Sequence, residues 1–422
     1  MPRAVAQRDE GNLAARARGH HPRAHRHRVP DALRQGFDPL SFRHRGGILL
    51  AVVGTVNAIA CTAYSPRAAK KPGPGRPDTT WTASLGKAPH DTSAPETLST
   101  DPRPRWQATV GRSVRGGPAV SEGFIAVGTA DRLVVLLDRA TGQVVWRVRV
   151  EGPIRGGPLL DRNRVYAATE GSPDGRVYAL RLRDGRVLWS TRTGGVEAPL
   201  ALDHDTLYAA TEAGVVLGIA TSDGSVTWRR ALPGSVRAAP VPTPSGLAVA
   251  TTTDTLFLLD HATGAVLRRL ATPGTVLSGP ALGWDGHVLY FGTTGGHVVG
   301  VQLPDLTVTW DLAVGDAVYG ALVVVRDTVH ALARDGTLWL IPRIGPVGAR
   351  SLSLGIVSTA GPTRLARSIL AASVGGEVVL VDAASGAVTW RAQIDGPIEH
   401  APLVRNGDLV VVGGRGDIHV YR

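Results

Sequence analysis

Residues 133–146 read LVVLLDRATGQVVW, and the order of residue types in this stretch decides the fold. Residues 133–137 are an apolar run of strand length, and residues 138–142 are a turn. Gly142 supplies the φ > 0 conformation of a tight hairpin, and the polar residue before it bonds the local backbone. A second strand then starts and carries Trp146 four residues after the glycine. The unit recurs. Residues 182–189 read LRDGRVLW, 221–228 TSDGSVTW, 261–268 HATGAVLR and 383–390 AASGAVTW. LPDLTVTW at 303–310 lacks the glycine, and a degenerate copy ends at Arg350.

These units set a period of about 40 residues, marked by Trp106, Trp146, Trp189, Trp228, Arg268, Trp310, Arg350 and Trp390. A second marker runs in step. A small residue followed by proline recurs at Pro118, Pro158, Pro199, Pro240, Pro280, Pro362 and Pro402, with Gly320-Ala321 at the failing position. Between markers lie short strands bounded by turns, such as GFIAVGT then RLVVLLD. Four strands per unit make a blade, and stacked blades close into a propeller. Seven units run from Trp106 to Trp390, and an eighth starts at Trp390 but ends at Arg422 after three strands. Its missing outer strand is expected from residues 105–110, which removes both open sheet edges. The expectation is an all-β, eight-bladed β-propeller of four-stranded antiparallel blades over 105–422, closed by its amino-terminal strand.

Composition agrees, because 52 Gly and 29 Pro in 422 residues mean many turns and few long helices. The net charge of +11 suggests a polyanion partner until it is located. Residues 1–105 hold 17 of the 46 Lys and Arg and 8 of the 35 acids, so the remaining 317 residues are nearly balanced at 29 against 27. The repeat region has no single-sign field, and no nucleic-acid binding is expected of it.

The pattern of small-Pro, a strand, a second strand ending in Leu-Asp, and Trp four residues after the turn glycine is similar to the quinoprotein (PQQ-like) repeat family. A WD-repeat propeller shares the period, but only Trp284 and Trp310 are followed by Asp here. The resemblance implies a propeller that either holds pyrroloquinoline quinone and calcium, as the enzymes of the family do, or serves without cofactor as a scaffold or sensor. It resembles the lipoprotein propeller of outer-membrane-protein assembly. Quinoprotein alcohol dehydrogenases show a vicinal Cys pair and an acidic calcium ligand in long insertions. This chain has one cysteine, Cys61, and short loops with no cavity-forming element to bury a tricyclic cofactor. No quinone cofactor, no metal and no catalytic set are expected, and a quinone-dependent dehydrogenase is the alternative. The histidines of the repeat region fall at unrelated phases, without HxH or HExxH spacing.

One column of residues points to binding. Just before the small-Pro marker, where the innermost strand meets the propeller axis, stand Arg115, Arg155 and Arg237, with Glu197, Tyr319, Glu399 and His400 at or beside the same place in other blades. They read either as a charged channel mouth that takes a small acidic ligand or a protein partner's side chain, or as an Arg-Glu ring that satisfies itself. The repeat tryptophans Trp106, Trp146, Trp189, Trp228, Trp310 and Trp390 read as interblade packing.

Ahead of the propeller, residues 1–45 read as a disordered basic tail. Residues 46–61, GGILLAVVGTVNAIAC, follow Arg43 and Arg45 as a signal peptide or membrane anchor. The run falls between a signal core and a full span, which takes about 20 residues. Cys61 after Ala60 suits bacterial lipidation, so lipid attachment, an uncleaved span and cleaved secretion stay open. Each exports the remainder. Residues 62–104 read as a Pro/Gly/Ser-rich linker. The expected protein is an extracytoplasmic, membrane-tethered, non-enzymatic propeller that binds protein partners or an acidic ligand.

Overall fold

A computed structural model describes residues 97–422, so the basic tail, the apolar run with Cys61 and most of the linker lie outside the described residues. The described chain forms 32 strands in eight four-stranded antiparallel sheets. The first blade shows the pattern: β2 (Ala119–Val120), β3 (Phe124–Gly128), β4 (Leu133–Asp138) and β5 (Val144–Arg149), hydrogen-bonded in that order. The quartet repeats as β6–β9 over 159–192, β10–β13 over 201–231, β14–β17 over 241–271, β18–β21 over 281–313, β22–β25 over 323–353 and β26–β29 over 363–393. The two middle strands of each blade are buried through most of their length, whereas the outer strand alternates, as β9 (Val187–Arg192) does from exposed to half-buried. That difference follows from position, since the middle strands face a blade on each side and the outer strand has its edge in water.

The eighth blade is a composite. β30 (Leu403–Arg405), β31 (Asp408–Val412) and β32 (Asp417–Tyr421) pair with β1 (Pro104–Thr109), which lies antiparallel to β32 with Trp106 opposite Val420. Closure is therefore made by the amino-terminal strand, as the strand count at the two ends requires. The contact begins ahead of β1, where Arg103 and Arg422 exchange backbone hydrogen bonds of 2.8 Å and Leu98 packs on the adjoining core. A buried carboxylate clamps the seam. Asp408 on β31 accepts both its contacts from Arg105 of β1, at 2.7 and 2.8 Å, and also pairs with Arg139 of the first blade.

Register shows what the repeat tryptophan does. Trp146 lies opposite Leu136, Trp189 opposite Ala179, Trp228 opposite Gly218, Trp310 opposite Gly300 and Trp390 opposite Leu380, and in each case the residue before the tryptophan is a one-residue bulge. The bulge turns the indole toward the next blade. There its Nε1 donates to a backbone carbonyl at the end of the third strand: Trp106 to Arg139 (3.0 Å), Trp146 to Leu182 (2.7 Å), Trp189 to Thr221 (3.0 Å), Trp228 to His261 (2.9 Å) and Trp310 to Arg343 (2.9 Å). The rings of Trp106, Trp146, Trp189 and Trp228 each cover that blade's turn glycine. At Gly264, φ is +65° and any Cβ would run into the Trp228 ring. Glycine and tryptophan thus recur together because one blade supplies the ring and its neighbour supplies the space for it.

A second tie repeats nearer the axis. The backbone N–H groups of Ile154, Val196, Val236 and Val318 donate to the carbonyls of Thr129, Thr169, Thr211 and Thr293 in the preceding blade, at 3.0 to 3.2 Å. The apolar side chain at each of these points seals the gap between blades.

Candidate functional site

The residues just after these ties lead into the innermost strands, so every blade delivers two or three residues to the axis. The channel there encloses a cavity of about 300 Å³, and Arg115, Arg155, Glu197, Arg237, Tyr319, Glu399 and His400 all line it. Sequence phase alone brought these seven to one place. Leu277, Ser278 and Thr359 complete the ring on the blades that carry no charge. Glycine dominates the wall between the charges. A Cβ at Gly116 or Gly320 would strike the backbone of the next blade, so the narrow neck of the propeller requires glycine at these positions.

The charges are partly spent on one another. Glu197, mostly shielded, lies 3.7 Å from the Arg155 Nε and 3.5 Å from the Arg237 Nε. Arg155 also pairs with Glu170, which sequence reasoning missed. The signal was present, because Glu170 and Glu212 both follow the threonine that ends the second strand of their blades. Arg115 is exposed, and among the described residues no carboxylate lies within ion-pair distance of it. Its carbonyl takes a 2.6 Å hydrogen bond from His400 Nε2. A carbonyl can only accept, so Nε2 carries the proton, and burial against the channel wall holds the imidazole below the ordinary histidine pKa. The ring is thus neutral at pH 7. The mouth presents Arg115 and the outer faces of Arg155 and Arg237, with Glu197 as a shared counter-ion.

The channel is one cavity, and a second of about 250 Å³ lies between the sixth and seventh blades, lined by His330, Leu340, Pro342, Arg350 and Arg364 among others. Neither depends on long insertions. Both arise from the way that blades meet. Among the described residues no three His, Cys, Asp or Glu side chains are grouped as metal ligands would be, and no helix is long and apolar enough to cross a membrane.

The family model described as outer membrane protein assembly factor BamB matches residues 98–200, 173–345 and 325–422, and so covers every blade. The chain belongs to this family. Among curated proteins it is similar to the BamB assembly factor of Legionella pneumophila, 27% identical over 42% of this chain and 48% of that protein. It is similar to that of Yersinia pestis, 24% identical over 56% of this chain and 64% of that protein. A shorter stretch resembles a tetrathionate hydrolase of Acidithiobacillus ferrooxidans, 28% identical over 27% of this chain and 28% of that protein. The chain thus spans only 48% and 64% of the length of these two BamB relatives. The crystal structure of BamB from Moraxella catarrhalis superposes with a TM-score of 0.64 at 17% identity, covering 76% of this chain and 99% of that one, which shows a shared fold.

Proposed function

We propose that the protein is an extracytoplasmic, membrane-tethered scaffold whose propeller binds protein partners, and that it does no chemistry on them. The observation that carries this reading is the family match running through all eight blades, joined to relatives named as factors of outer-membrane-protein assembly. The apolar run at 46–61 and Cys61 supply the tether. The channel mouth is the proposed contact point, with Arg115, Arg155 and Arg237 receiving an acidic ligand or an acidic side chain of a partner.

The donor set around the axis supports a role without the quinone. Calcium-assisted quinone binding needs clustered hard oxygen ligands for the cation, whereas the channel here presents arginines and glycines, with Glu197 spent on Arg155 and Arg237 and Glu399 the other carboxylate on its wall. That set does not fit the cofactor. The chain also lacks the vicinal cysteine pair, since Cys61 is its only cysteine.

Cross-linking of the full-length protein in membranes, followed by identification of its partners, tests the reading. Envelope assembly proteins recovered with the wild type, and lost from a variant with Arg115, Arg155 and Arg237 replaced by Ala, are the expected result. Reduction of a dye by the protein on adding alcohol, pyrroloquinoline quinone and calcium would replace it with the dehydrogenase reading, and an unprocessed cytosolic protein would remove the tether.

A further inference from the structure

Two blades lack the repeat tryptophan, and the fold treats the two vacancies differently. Arg268 lies opposite Leu258 and Arg350 opposite Leu340, the register that tryptophan holds elsewhere. Between the fourth and fifth blades the seat is filled from the neighbour. Leu306, at φ +55°, stands where a turn glycine would stand and is buried with Leu303 against Leu258. The carbonyl of Leu303, which an indole would have reached, accepts the Gln302 side-chain amide at 3.2 Å instead.

Between the sixth and seventh blades no aromatic ring takes the indole's place. The turn glycine is kept as Gly386, at φ +75°, and the side chain lying over it is Leu352. Leu352 is the counterpart of Val148, which elsewhere only flanks the indole. Ala383, the counterpart of Thr221 and His261, lines the 250 Å³ cavity that stands in the place of the ring. The cavity wall is not neutral packing. His330 occupies the position that Tyr208 and Tyr290 hold beneath their tryptophans, is only 3% exposed, and has no hydrogen-bond partner for Nδ1 among the described residues. The exposed Arg350 and the half-buried Arg364 also line the cavity; Arg364 donates to the carbonyls of Leu365 and Ser368, and among the described residues neither guanidinium makes a salt bridge with a carboxylate. A slot shaped by the repeat for a planar ring therefore has a mixed wall, with Leu340 and Pro342 on its apolar side and two guanidinium groups and a buried imidazole on its polar side.

We propose that this vacated tryptophan seat binds a small planar aromatic carboxylate, with its ring in the place of the indole and its carboxylate on Arg350 and Arg364. The site is separate from the channel and does not depend on the scaffold reading. The slot is too small for the drug-sized ligands that fill larger pockets, which limits the ligand to one or two fused rings.

The probe is indole-3-acetate, with indole and acetate as its two halves, titrated into the full-length protein in detergent and followed by ligand-detected NMR. Saturation transfer to the ring of indole-3-acetate is expected, with indole weaker by roughly tenfold or more for want of the charge-assisted contact and acetate silent. Arg350→Trp refills the seat, so it should abolish binding and raise the melting temperature. Arg364→Gln should weaken binding roughly tenfold, while Ala at Arg115, Arg155 and Arg237 should leave it unchanged. Absence of transfer at millimolar probe, retention of binding by a folded Arg350→Trp variant, or loss of binding in the channel variant would each overturn the proposal.

Discussion

A single repeat tryptophan does three jobs, and their sum sets the cost of losing it. Trp228 is buried, donates to the His261 carbonyl and covers Gly264, so Trp228→Ala leaves a cavity, an orphaned acceptor and an uncovered turn. The expected loss is about 3 to 5 kcal/mol, read as a lower denaturant midpoint at unchanged slope. The channel arginines should behave oppositely. They are about half or more exposed, and ion pairs of that kind add little to folding. Replacing Arg115, Arg155 and Arg237 by Ala should leave the melt nearly unchanged and weaken an oligo-glutamate peptide by roughly tenfold or more; a triple variant that unfolds would reverse the assignment. His330 gives a pH signature. Burial, aided by the Arg364 charge, lowers its pKa to about 4. Between about pH 6.5 and 4 the unfolded chain binds a proton that the folded chain excludes, so this stability is complete above that window and lost as the pH falls through it. The loss reaches about 3 kcal/mol. His330→Phe should therefore flatten the fall in melting temperature from pH 7 to 4.5, though not abolish it, since burial also holds His400 and His419 low. An identical fall in the variant would refute the assignment.

At the scale of the hairpin, the phase of glycine and tryptophan was legible because both lie within one unit, four residues apart. What was not legible is that four of the rings serve the next blade's glycine, a contact about 36 residues away, as between Trp228 and Gly264. Local spacing reports the period and is silent about the partner. The same limit explains the two vacancies: Arg268 and Arg350 look alike in the sequence, yet one seat is filled by Leu306 and the other is open. The difference has a test in paired glycine substitutions. Gly264→Ala must place a Cβ against the rigid Trp228 ring at φ +65°, while at Gly386 the obstacle is the flexible end of Leu352 at φ +75°. Backbone strain of about 1 to 2 kcal/mol is common to both. Only Gly264→Ala should add the cost of displacing packed aromatic atoms, so it should be the more destabilising by about 1 kcal/mol or more. Equal losses would mean that the sixth-seventh seat is as full as the others.

For the whole molecule, the blade count and the identity of the closing strand followed from counting strands at the two ends, and the seven residues at the axis followed from phase. The clamp on the seam did not, because Asp408 and Arg139 are 269 residues apart and neither belongs to the repeat pattern. Closure nonetheless depends on this clamp. Asp408 is almost wholly buried, Arg139 is about as buried as a core residue, and Arg105 is carried on β1 itself, so one carboxylate holds the last blade to both the closing strand and the first blade. Removing residues 1–96 should spare the seam, whereas removal through Val110 takes away β1 and should leave a soluble protein only at low concentration, with β32 exposed as an edge. Asp408→Asn asks the finer question, since it keeps the shape and deletes the charge. Breaking a buried pair by removing one partner costs about 3 to 5 kcal/mol, because the remaining cation stays in a poorly solvated place. Asp174→Asn, which disrupts the exposed pair with Arg192, should cost less than about 1 kcal/mol and serves as the control. The clamp predicts more than a lower midpoint: amides of β32 should exchange faster in Asp408→Asn, while those of β8 (Arg176–Arg181), two blades away, keep the exchange rates of the wild type when measured well below the midpoint. Uniform acceleration of both strands would show that Asp408 contributes to global stability without holding the ring closed.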